Sequence, residues 1–195
     1  MTTPARTFNQ LDRGDLAPDF TLPRYPNGCF KLSEDGSDCG VLLYFSESMY
    51  PPHSMSPNVI ALASRLADFN KASVQVVVVS RHDYPLVANA LLAQCDSQLS
   101  LLLDREVHVG KLYGCHCLED CFAVSWGYDH CPQLVLIDRS RIVRLYAEVT
   151  TISSAESPRQ LIASDMEQQL WSCEAGFTPQ ALSIEFLLQL ATHGQ

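Results

Sequence analysis

The run Val74-Gln75-Val76-Val77-Val78-Val79-Ser80 restricts this chain more than any other stretch. β-branched side chains are stiff and fit a pleated surface. A run that is apolar at both odd and even positions has no face to give to water. It therefore reads as a strand in the middle of a sheet covered on both sides. Val41 to Ser46 has the same character. Two such strands call for a layered α/β fold in which the intervening segments supply helices to both faces.

The rest of the chain can be read around this pair. Phe30 to Leu32 reads as a short strand, Leu99 to Leu103 as another, and Leu134 to Ile137 and Ile142 to Ala147 as two more. The last two are joined by the hairpin-length Asp138-Arg139-Ser140-Arg141. Ser56-Pro57 is a helix start, with Ser as N-cap and Pro at N1. Ile60, Ala63, Leu66, Ala67 and Asn70 follow at helical spacing. Leu86 to Gln94 predicts a further helix, and Val107 to Tyr113 a short one stopped by Gly114. After residue 150 the character changes. Ser157-Pro158-Arg159-Gln160 is a capping box opening a helix to about Trp171. Thr178-Pro179 opens another, to about Leu190. The expected organisation is one α/β domain over residues 1–150, with residues 151–195 as a C-terminal helical extension packed on it or on a partner.

Composition narrows the function. At 195 residues with 47% apolar content the chain can bury a full core. Only 18% is charged, below the roughly 25% usual for soluble domains, which favours a surface that meets a protein partner or a second copy as a homodimer. Net charge is −9, and the thirteen Lys and Arg are scattered. No basic stripe can track phosphates, so nucleic-acid binding is not expected. No run approaches the ~18 apolar residues of a membrane span, and the polar first twenty residues carry no secretory signal. The expected location is the cytoplasm. There the eight cysteines (29, 39, 95, 115, 117, 121, 131 and 173) suit buried thiols, metal ligands or redox groups better than structural disulfides.

The segment Gly14-Asp15-Leu16-Ala17-Pro18-Asp19-Phe20-Thr21-Leu22-Pro23 resembles the opening of the peroxiredoxins, the alkyl hydroperoxide reductase and thiol-specific antioxidant family. Further short matches follow in order. Val79-Ser80-Arg81 stands where that family has V-S-x-D and Leu103-Asp104 where it has S-D. Leu112-Tyr113-Gly114 stands at its Y-G-V and Leu136-Ile137-Asp138 at its F-x-I-D. The resemblance covers residues 14–147. It implies a thioredoxin-like fold of peroxiredoxin type, a mixed central sheet flanked by helices.

In that family the loop after the first central strand reads F-T-P-x-C. Here it reads Tyr50-Pro51-Pro52-His53-Ser54. The resemblance puts the peroxide-attacking cysteine at Ser54, the peroxide-binding threonine at Pro51 and the assisting arginine at Pro132; Pro52 alone is kept. Peroxide reduction needs a thiolate. An alcohol is almost wholly protonated at neutral pH, and oxygen cannot store the oxidising equivalent as a sulfenic acid does. No catalytic residue is therefore expected at the family site, and the chain reads as a redoxin without peroxidase chemistry. Thiol reductases of the same superfamily carry C-P-P-C in this slot and a cis-proline that Cys131-Pro132 would match, but both of their cysteines are missing here too.

Two replacements remain open. Cys115, Cys117, Cys121 and Cys131 are candidates for a relocated dithiol, although C-x-C-x3-C-x9-C is no standard zinc pattern. His53, Met55, His130 and Cys131, if the fold brings them together, form a donor set suited to Cu(I) or Zn. Otherwise no cofactor is expected. Tyr50 and Trp126 would line or cap such a pocket.

Overall fold

The computed structural model describes residues 11–46, 56–81, 88, 89, 92, 99–115, 133–153 and 180–193. Its centre is one eight-stranded sheet built from β1 (Thr21–Tyr25), β2 (Cys29–Lys31), β3 (Gly40–Phe45), β4 (Val74–Ser80), β5 (Leu99–Leu103), β6 (Gln133–Ile137), β7 (Val143–Ser153) and β8 (Gln180–Ser183), in the spatial order β2-β1-β5-β4-β3-β6-β7-β8. β3, β4 and β5 are parallel neighbours, while β6 runs antiparallel to β3. The two apolar runs are thus central strands. Their side chains alternate between two cores: Leu42, Tyr44, Val76 and Val78 face one layer, and Val41, Leu43, Phe45, Val77 and Val79 face the other.

Five helices described along their length cover the sheet: α1 (Leu32–Asp35), α2 (Pro57–Ala63), α3 (Leu66–Lys71), α4 (His108–Leu112) and α5 (Ile184–His193). The first layer holds Val59 and Leu62 of α2, Leu66 and Phe69 of α3, and Leu187 and Ala191 of α5. The second holds Leu32 of α1 and Val109 of α4, with Phe20, Phe30 and Tyr113. Gly114 stops α4 as expected, its φ of +73° being a conformation that glycine adopts without strain. Ala88, Asn89 and Leu92, the described part of the helix expected over 86–94, are helical. The 138–141 connection closes as a turn, with Asp138 N donating to Ile142 O at 3.0 Å and Arg141 N to Asp138 O at 2.9 Å.

Several expectations need correction. The helix begun at Ser56-Pro57 is two helices, broken at Ser64-Arg65, and the Ser56 side chain makes no capping bond. Its buried residues include Asn58, Val59, Leu62, Leu66 and Phe69; Ile60, the first of the residues at helical spacing, is half exposed. The stretch after Thr178-Pro179 opens as the strand β8, with α5 only from Ile184. The boundary drawn at residue 150 falls inside β7, and β8 pairs in parallel with that strand's far end, Ile152 opposite Leu182. β1 adds a strand that no sequence pattern marks: Pro23 sits within it, and only Leu22 of its five residues is buried. The helix expected over 157–171 lies outside the described residues.

Candidate functional site

Parallel strands aim their C-terminal ends at one rim of the sheet, where ligands of open α/β sheets bind. Here that rim is formed by Phe45 and Ser46 at the end of β3, Ser80 and Arg81 at the end of β4, and Asp104 after β5. These ends are laced together. Ser46 donates twice to Val79 O, from its backbone N at 2.9 Å and its Oγ at 3.2 Å. Asp104 N donates to Ser80 O at 2.8 Å. A cleft lies among Ser46, Ser80, Arg81, Asp104 and Cys115, with a free interior of about 20 Å³. That is room for one water-sized group. By itself this cleft is too small to be a substrate pocket.

Asp104 organises the far wall. Its carboxylate accepts His108 N at 2.9 Å and Gly110 N at 2.7 Å, satisfying two N–H groups of the first turn of α4. The link between Asp104 and the helix passes through Val107 at φ +55°, a left-handed conformation that a β-branched residue holds only under strain. The turn is tight at Gly110 as well: a Cβ there would lie 3.0 Å from Val107 Cγ1. Tyr113, fully buried, donates its hydroxyl to Pro18 O at 2.7 Å and so ties α4 to the opening segment. Burial, reinforced by the Asp19 charge, pushes that hydroxyl well above the ordinary tyrosine range, and it stays a neutral donor. Asp19 accepts Phe20 N and Ser33 N. Desolvation opposes its charge, but the bonds from Ser33 and Phe20 and the nearby Arg141 outweigh it and hold the carboxyl below its usual range.

Of the site residues singled out in the sequence, Cys115 alone falls among the described residues. It is 3% exposed and packs in the apolar layer with Tyr113 and Phe45. Its backbone N donates to Gly110 O at 2.8 Å. Tyr50, Pro51, Pro52, His53, Ser54 and Met55 lie outside the described residues, as do Cys117, Cys121, Trp126, His130, Cys131 and Pro132. What the structure does fix is where the two segments carrying them are anchored. Phe45 is the register partner of Gln133, so the chain leaves for residues 47–55 beside the point where it returns from 116–132. Gln133 is buried; its Nε2 donates to Gly114 O at 3.4 Å and its Oε1 accepts the Tyr146 hydroxyl at 2.8 Å. The two ends of the cysteine-rich segment are therefore bonded to each other at the rim.

The remaining described thiols are elsewhere. Cys29 is exposed on β2. Cys39 precedes β3 at the opposite end of the sheet, and burial pushes its thiol up. Among the described residues no group of three metal-ligating side chains converges, and no helix is long and apolar enough to cross a membrane. Sequence reasoning missed Gln133 and Asn58, both buried polar residues on otherwise apolar elements. For Asn58 the signal was present: it shares the 3–4 spacing of Leu62, Leu66 and Phe69.

Comparison with known proteins agrees with this geometry. The model of the AhpC/TSA family matches residues 13–146. Among solved structures the chain is similar to the peroxidoxin BcpB from Mycobacterium tuberculosis, with TM-score 0.58 and 20% identity over 71% of this chain and 86% of that one. It is similar to a cysteine-to-serine mutant of PrxQ from Xylella fastidiosa, with TM-score 0.58 and 17% identity over 83% and 94% of the two chains. The thiol peroxidase from Chromobacterium violaceum gives TM-score 0.57 and 16% identity over 84% and 87%. At such identities the likeness is one of fold. No curated protein matches the chain.

Proposed function

The chain belongs to the AhpC/TSA family, and from that premise we propose that it is a member without peroxidase chemistry, serving as a binding or regulatory module. One observation carries the reading: Ser54, Pro51 and Pro132 stand together where the family's motifs have the attacking cysteine, the threonine and the arginine. A single cysteine-to-serine change would remove the nucleophile alone. The triple replacement also removes the hydroxyl that aligns the peroxide and the cation that favours the thiolate. The described elements that flank these positions are bonded to one another, from the laced ends of β3, β4 and β5 to the Asp104 anchor of α4. A low charge content favours a protein partner or a second copy as the binding target.

The test is steady-state peroxide consumption by the full chain with a thioredoxin or glutathione reducing system. The native chain is expected to stay at background, and Ser54→Cys alone is expected not to restore turnover. Only the combination with Pro51→Thr and Pro132→Arg supplies the full set of groups. Turnover by the native chain, or full activity from Ser54→Cys alone, contradicts the proposal.

The alternative is a thiol oxidoreductase working from the cysteine-rich segment. Cys115 lines the rim cleft but is only 3% exposed, so that reading rests chiefly on Cys117, Cys121 and Cys131. A reversible disulfide among them, seen by intact-mass alkylation before and after reduction, would favour it. Stoichiometric Cu or Zn in elemental analysis of protein purified without tags or chelators would instead favour the set His53, Met55, His130 and Cys131.

A further inference from the structure

We draw no further inference here: the strongest candidate, the apolar flank of α5 formed by the partly buried Phe186, Leu188 and Leu190, borders the first core layer, and nothing in the structure shows what covers its outer side.

Discussion

On the face of the sheet covered by α1 and α4, two carboxylates bond to backbone close at hand. Asp104 accepts two N–H groups of the helix that follows it, and Asp19 accepts Phe20 N and Ser33 N. On the face covered by α2, α3 and α5 the ties span the chain: Asn58 reaches Ile152, and Arg65 reaches Glu185. The first face adds to these bonds the Tyr113 tie to Pro18 and sets up the rim of the candidate site. The second is completed only when the last strand and helix return to it. The difference separates a face built from residues 11–146 from a layer that is closed by residues 180–193.

The largest expected effect strikes the second face. Leu187 is fully buried, so Leu187→Ala should cost about 2–5 kcal/mol in chemical denaturation, no less than Leu102→Ala in the opposite layer. A cost below about 1 kcal/mol would mean that α5 is a dispensable cover, and the contrast between the faces would collapse. Asn58→Ala should cost about 1–3 kcal/mol, because it strands a buried N–H. On the first face Asp104→Ala should cost about 0.5–2 kcal/mol, the usual range for losing a cap, and should loosen α4 while leaving α5 at its native hydrogen-exchange rate. Loosening of α5 by that change would show that the faces are not independent.

The smallest effect is a pH dependence. The folded carboxyl of Asp19 is held below its ordinary 3.8. Its contribution is therefore present above that pH and is lost as pH falls through the lower, folded value. Asp19→Asn removes this dependence, so the two stability curves should converge in strong acid and separate above about pH 4. Parallel curves would place the acid sensitivity elsewhere, with Asp68, which is lowered by Arg65 and Lys71, the next group to replace.

The same contrast explains what could be read in advance. β3 and β4 were legible because a strand buried on both faces has almost no alternative, and α4 because Gly114 ends it. β8 was not. Gln180–Ser183 has polar ends and follows a helix-start signal, and pairing with β7 overrides that local preference. The inner face of α2 was not legible because composition favours Ile60 over Asn58 for burial, although the reverse holds. Burying an asparagine is worthwhile only when it has partners, and Ile152 lies 94 residues away. At the site itself Asp104 and the Tyr113 tie sit on the short family matches, whereas Gln133 works through a strand register that no local pattern displays.

The central claim is a kept scaffold with its peroxidase chemistry gone, and a single-turnover experiment meets it directly. Fully reduced native protein would be mixed with one equivalent of hydrogen peroxide and quenched over seconds with an alkylating agent, and its intact mass and free thiols would be counted. The account predicts eight alkylated cysteines and peroxide left unconsumed. Rapid loss of one or two defined thiols, matched to the peroxide consumed, would contradict it and place a working peroxidatic sulfur elsewhere in the chain.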